Sequence, residues 1–182
     1  IPTNASLSYT LTDLRTTVEL ESSTGADSWE ALIEDFTLSE AAISRFLKHL
    51  ETLKSKFNYQ GHFIVRSSNN FPTASGLASS ASSFAALTTV AAQALAELTA
   101  SEYPPIEVLA DWSRQGSGSS CRSFFSPWSI WDAEGARSCT LPYPKLLHQV
   151  VLISHEEKGV SSSQAHRLVT SSPDDIDWAD ET

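Results

Sequence analysis

Methionine occurs nowhere in the 182 residues, not even at position 1. A chain of this size would ordinarily carry several, so one expectation is a processed piece of a longer protein. The other, which we favour, is that modified methionines have dropped out, so that some neighbours here are not covalent neighbours. An intact mass equal to that of the written sequence would exclude it. Cysteine is nearly absent too. Cys121 and Cys139 alone cannot build a disulfide framework, which fits a reducing, cytoplasmic location. Positive charge is scarce: 12 Lys and Arg face 22 Asp and Glu, a net charge of −10. That argues against general affinity for nucleic acid or an anionic membrane, while local basic residues could still hold a small anion. The N-terminus has no basic region followed by an apolar run, so no secretory leader is read. The stretch Ser67–Ala96 carries no charge, but its aliphatics are mostly Ala and it contains Asn69, Asn70, Thr88, Thr89 and Gln93. It is too weakly apolar to span a bilayer and is read as buried in protein. The histidines at 49, 62, 148, 155 and 166 show no metal-ligand spacing, so ordinary core or surface roles are expected for each.

What is present suffices for a substantial core: 41% of residues are hydrophobic, enough for one large domain or one domain plus part of a second. Thr3–Leu11 alternates and puts Leu7, Tyr9 and Leu11 on one face, which predicts a strand. Arg15–Leu20 is β-branched and is expected to pair with it across Thr12-Asp13. Thr24–Asp35, polar and acidic, reads as a surface connection. Thr37 and Glu40 have capping-box spacing, and Ile43, Phe46, Leu47, Leu50, Leu53 and Phe57 recur at helical intervals. This predicts an amphipathic helix over Ser39–Phe57, with Arg45, Lys48, Lys54 and Lys56 on a solvated face. His62–Ser67 reads as a strand, and a helix is expected from the serines after Gly76 to about Leu98. Pro104-Pro105 starts another helix that ends near Arg114. Phe124–Trp131 looks extended, Gln149–Ser154 reads as a buried strand, and Val160–Val169 as helix. The class is α+β or mixed α/β, with a boundary near Pro142–Pro144.

Two stretches carry chemistry. In "NNFPTASGLASSAS" (Asn69–Ser82) a strand feeds a glycine turn and then a helix. A helix start leaves unpaired N–H groups and a partial positive charge, so a phosphate is held there naturally. Gly76 allows close approach, and Ser79 and Ser80 add hydroxyls able to reach an anion or Mg²⁺. The Gly-Lys-Ser/Thr loop of one large ATPase class is absent. Close packing of small side chains explains the same alanines and serines equally well on composition alone. In "RQGSGSSCRS" (Arg114–Ser123), Gly116 and Gly118 alternate with Ser117 and Ser119, and Arg122 can clamp a carboxylate or phosphate bidentately. A flexible linker is the plain alternative, but linkers seldom lead straight into an arginine and an aromatic pair. Cys121 reads as a small buried residue rather than a reactive thiol, and Asp132 and Glu134 as a turn rather than a carboxylate pair.

Together, Asn69–Ser82 and Arg114–Ser123 closely resemble the diphosphomevalonate decarboxylases of the GHMP kinase superfamily. Ile1–Leu11, Leu14–Leu20 and Glu156–Ala165 look like further segments of that family in the same order, so the resemblance covers most of the chain. It implies an α+β, two-domain GHMP fold: a ribosomal protein S5 domain 2-like N-terminal domain and a ferredoxin-like C-terminal domain. Residues 1–144 would form the ATP-binding domain without its first strand, and 145–182 the start of the second. The implied reaction is ATP- and Mg²⁺-dependent decarboxylation of 5-diphosphomevalonate to isopentenyl diphosphate, CO₂, ADP and phosphate, in a cytoplasmic homodimer.

By the same resemblance, Gly76, Leu77, Ala78, Ser79 and Ser80 match the ATP phosphate loop, with Ser80 toward Mg²⁺. Ser117 and Ser119 match serines at the substrate diphosphate and reacting region, Arg122 the arginine on the substrate carboxylate, and Ser162 a further substrate-side serine. The family's lysine strand before "IPTNASL" and its "DAGPN"-like segment with the general-base aspartate have no counterpart here. Asp132 in "DAEG" lies too early to inherit that role. A protein of these residues alone is expected to bind nucleotide poorly and to turn nothing over. The alternatives are a GHMP kinase that phosphorylates the 3-hydroxyl without decarboxylating, and a non-catalytic GHMP-like binding module.

Overall fold

The computed structural model describes residues 5–71, 79–143 and 146–149. Its elements run β1 (Ser6–Tyr9), β2 (Thr16–Ser23), β3 (Ser28–Ala31), α1 (Glu40–Lys56), β4 (His62–Asn69), α2 (Ser79–Thr99) and α3 (Ile106–Gly116). A 3₁₀ helix (Gly118–Phe124), β5 (Trp128–Asp132) and β6 (Gly135–Cys139) follow. The expected helix over Val160–Val169 and residues 150–154 of the expected last strand lie outside the described residues.

Two three-stranded sheets organise the chain, with strand orders β2-β4-β3 and β1-β5-β6. In the first, β4 alternates between buried Phe63, Val65, Ser67 and Asn69 and half-exposed residues, the period-two signature of a strand with one covered face. Its buried face meets Phe46, Leu50 and Leu53 of α1 and Phe84, Leu87, Ala91 and Leu95 of α2. The alanines of α2 let the two long helices approach, and Ala91 and Ala92 are fully buried. The close-packing reading of that helix therefore holds for its middle turns.

Four expectations fail here. β1 and β2 do not form a hairpin: β1 pairs antiparallel with β5, with Leu7 opposite Ile130, and β2 pairs antiparallel with β4. The Thr24–Asp35 connection contains β3, which lies parallel to β4 and is pinned by the Trp29 indole N–H donating to Ser67 Oγ at 2.8 Å. Four residues, Ser28-Trp29-Glu30-Ala31, are too short a run to show an alternating pattern, and the strand is revealed by its partner β4 and by Trp29 packing on the core.

The third concerns Lys54 alone, since Arg45, Lys48 and Lys56 of α1 are exposed as expected. Lys54 is buried, with Nζ 2.6 Å from Asp27 Oδ2 and 2.9 Å from Glu51 Oε2. Burial favours the neutral amine, but the hydrogen bonds to Asp27 and Glu51 outweigh it and hold the ammonium above its ordinary pKa. Lys56 lies 4.8 Å over the Trp112 ring, and Arg45 lies 5.4 Å over Phe84 while donating to the Gly116 carbonyl at 2.9 Å. The cap of α1 is Ser39, not Thr37: its hydroxyl accepts from the Ala42 N–H.

Candidate functional site

The Gly/Ser-rich segment after α3 is not a linker. Gly116 ends α3, and a Cβ there would stand 2.1 Å from Phe84 Cδ1 and 3.0 Å from His49 Cγ. This glycine is therefore demanded by the approach of three helices rather than by a ligand. Gly118 differs: among the described residues an added Cβ would meet only Trp131 Cη2 at 3.8 Å, an ordinary contact.

Beyond Ser117, which has extended backbone, the chain winds into the 3₁₀ helix. Its period of three puts Ser119 and Arg122 one above the other on the same face. Ser120 and Cys121 turn inward and are buried. The Ser120 hydroxyl donates to the Ser117 carbonyl at 2.6 Å and lies 2.7 Å from Ser113 Oγ, which fastens the segment back onto α3. Burial pushes the Cys121 thiol up despite neighbouring Arg122 and Arg114, so it stays neutral, and its Sγ meets the Gly118 carbonyl at 3.3 Å. The serines of this segment divide into a packing set and a presented set. Ser117 and Ser119 are half-exposed and Ser120 is fully buried.

Arg122 is half-buried. Its Nη1 donates to Ser6 Oγ of β1 at 2.6 Å, and its guanidinium carbon lies 5.7 Å from the Trp131 ring centroid. Neither contact was visible in the motif, because the sequence pattern of β1 draws attention to its apolar face and Ser6 lies on the other. The only local hint was the polar half of the alternation Ser6-Leu7-Ser8-Tyr9.

At the other stretch, Ser79 and Ser80 open the first turn of α2. Gly76, Leu77 and Ala78 lie outside the described residues, as does Ser162. That first turn carries no acidic residue, so nothing there opposes the positive end of a helix of 21 residues. Ser82 is tied down instead: its Oγ lies 2.7 Å from Thr16 Oγ1, which donates to Asn69 Oδ1 at 2.7 Å. The helix start is thereby anchored to the ends of β2 and β4. Ser79 is half-exposed and Ser80 exposed. Both fit an anion or its Mg²⁺, and among the described residues no cluster of three or more His, Cys, Asp or Glu could hold a metal.

Asp132 sits at the β5–β6 turn, bonded to Arg137 at 2.8 and 2.7 Å and accepting from the Glu134 N–H. Its pairing with Arg137 holds the carboxyl below the usual range, and the turn reading of Asp132 and Glu134 stands.

Residues 1–140 match the family model described as the diphosphomevalonate decarboxylase-like N-terminal domain. A diphosphomevalonate decarboxylase of Ganoderma lucidum is 34% identical over 200 residues, covering 95% of this chain and 48% of that protein. A mevalonate diphosphate decarboxylase from Legionella pneumophila superposes with a TM-score of 0.90 at 49% identity, over 98% of this chain and 58% of that one. A structure of MDDEF in complex with MVAPP, AMPPCP and magnesium superposes with a TM-score of 0.64 at 28% identity, over 76% of this chain and 43% of that one. The chain spans about half the length of the curated relatives it matches. A match over residues 1–140 is most of the 182, and the chain belongs to the diphosphomevalonate decarboxylase family, with the GHMP kinase fold.

Proposed function

We propose that the full-length protein carrying this chain catalyses ATP-dependent decarboxylation of 5-diphosphomevalonate, yielding isopentenyl diphosphate, CO₂, ADP and phosphate. The observation that carries this reading is the shared face of Ser119 and Arg122 on a 3₁₀ helix fastened to α3. A relative whose structure holds MVAPP, AMPPCP and magnesium supports the pairing of that substrate with nucleotide and metal. The relatives are named as decarboxylases, which favours decarboxylation over phosphorylation alone.

The chemistry explains why two polyanions must meet. A 3-hydroxy acid without a neighbouring carbonyl has no electron sink for losing CO₂. ATP supplies the phosphoryl group that turns the tertiary hydroxyl into a leaving group. When that C–O bond breaks, phosphate departs with its electron pair, and the pair of the C–CO₂ bond becomes the new alkene. Arg122 holds the carboxylate by its guanidinium fork. Because the carboxylate loses its charge as CO₂ forms, a cation on it gains nothing in the transition state. Its benefit is orientation, which keeps the breaking C–C bond aligned with the departing phosphate. Ser119 and Ser117 donate hydroxyls to the reacting region and the diphosphate, and Ser162 adds a further one. Gly76, Leu77, Ala78, Ser79 and Ser80 cradle the nucleotide phosphates, with Ser80 on Mg²⁺. Asp132, already paired with Arg137, is not assigned a proton-transfer role.

The division into an N-terminal ATP-binding domain to residue 144 and a second domain from 145 is part of the proposal, supported by a family match that ends at 140. So are a homodimer and a cytoplasmic location. The free thiols of Cys121 and Cys139 agree with a reducing compartment. No helix among the described residues is long and apolar enough to cross a membrane. The test is the full-length protein with ATP, Mg²⁺ and diphosphomevalonate, following ADP and CO₂ together. Equal release of both is expected, whereas ADP without CO₂ would turn the reading into that of a 3-kinase.

A further inference from the structure

Arg122 is gripped from two sides by residues outside both motifs. Ser6 Oγ accepts from Nη1 at 2.6 Å, and the Trp131 ring centroid lies 5.7 Å from the guanidinium carbon. Ser6 and Trp131 are direct partners in the β1–β5 ladder. Directly opposed residues in an antiparallel pair rise from the same face of the sheet, with Cβ atoms about 5 Å apart. One hydroxyl and one indole thus form a two-part cradle at a fixed spacing. The cradle is itself held. Trp131 packs on the buried cluster of Ala110, Cys121 and Phe125, and β1 is secured beyond its far end by the Thr10 N–H donating to the Pro127 carbonyl at 2.9 Å.

A guanidinium carries five N–H donors in one plane. With one used on Ser6 and the ring near it, the plane has a set tilt, while its other donors can still meet a carboxylate in bidentate fashion. An arginine on a short helix would otherwise sample many rotamers, and each would point the fork elsewhere. We propose that the cross-strand pair Ser6–Trp131 is a positioning device that fixes the plane in which Arg122 presents its fork to the substrate. β1, far from both motifs in sequence, is thereby made a determinant of how the carboxylate is aligned.

The inference rests on the reading of Arg122 as the carboxylate-holding residue, and the experiment separates the two. In the full-length enzyme, Ser6→Ala should lower kcat/KM for diphosphomevalonate about tenfold, the scale of one lost charge-assisted hydrogen bond, and leave KM for ATP within about twofold. A misaligned carboxylate should also uncouple the reaction, so that more ADP than CO₂ is released. Ser6→Thr keeps the hydroxyl and should restore both rate and coupling, a rescue that loss of packing would not give. Unaltered kinetics and coupling in Ser6→Ala overturn the positioning role alone. Equal losses in Ser6→Ala and Ser6→Thr overturn it as well. A wild-type enzyme that releases no CO₂ overturns the functional reading, and the positioning role with it.

Discussion

Sheet β2-β4-β3 buries Phe63 and Val65 under two long helices, with Phe46, Leu50, Leu53, Phe84, Leu87 and Leu95 completing the layer. Among the described residues, sheet β1-β5-β6 has beneath it a small cluster of Ala110, Cys121 and Phe125, with Phe124 packed against it. Its β1 edge carries Leu7 at 51% exposure. The first sheet is held by apolar area. The second is held by single contacts: Thr10 on the Phe125 carbonyl, the Trp128 indole on the Tyr143 carbonyl, and Tyr9 edge-on to Trp128. Of the candidate substrate residues, Arg122 reaches the second sheet through Ser6 and Trp131, while its 3₁₀ helix is fastened to α3. The apolar core and the Arg122 cradle thus belong to different sheets, joined where α3 ends against α1 and α2 at Gly116.

The widest gap between the halves should be opened by Arg122→Gln. It is expected to reduce decarboxylation about 10³-fold, equivalent to about 4 kcal/mol. Nucleotide binding and the melting temperature should stay nearly unchanged, and wild-type turnover in that variant would dispose of the role. The mirror image is Leu50→Ala under the first sheet. Truncating this fully buried side chain should cost about 3 kcal/mol in denaturant unfolding, with little change in kcat per folded molecule.

His49 tests the same side through pH. Burial, with a smaller contribution from Lys56, lowers its pKa from 6.5 to about 4. Its Nε2 lies 2.8 Å from Thr88 Oγ1. Above pH 6.5 the imidazole is neutral in both folded and unfolded chains, and the native state has its full stability. As pH falls from 6.5 toward 4, the unfolded chain takes up a proton that the folded chain refuses, so stability is lost. The loss at pH 4.5 should be about 2–3 kcal/mol. His49→Gln should shrink the difference in melting temperature between pH 7 and pH 4.5, and an identical difference would contradict this. Gly116→Ala, at the joint, should cost about 1–3 kcal/mol through its clash with Phe84. Alone among these changes, it should move stability and turnover together.

The helices were legible because their information is local. Apolar spacing places α1 to within a residue, and the step from Pro105 into Ile106 marks the start of α3. The sheets were not legible in the same way. Nothing within Ser6–Tyr9 records that its partner lies at Trp128–Trp131, and the nearer candidate across Thr12-Asp13 looked sufficient. Lys54 misled for a related reason: a lysine at helical spacing reads as solvated until Asp27, from the loop before β3, is folded over it. At the site, Ser117, Ser119 and Arg122 could be picked out by residue type and spacing. Gly116 stands out by spacing as well, but nothing local shows that Phe84 and His49 set its need for a missing Cβ. Ser6 was missed, since a serine in an alternating strand carries no mark of the arginine it will meet.

The bond between Ser6 and Arg122 joins residues 116 positions apart in sequence. A contact that closes so long a loop forms late in folding and is among the first to open, especially at a sheet edge with little apolar cover. The molecule therefore has a built-in order of failure. On warming, fraying of β1 should silence turnover while the helices over β4 remain intact, so that heat inactivation precedes melting. On refolding, catalytic competence should return last, as a sign that the two distant ends of this segment have found each other.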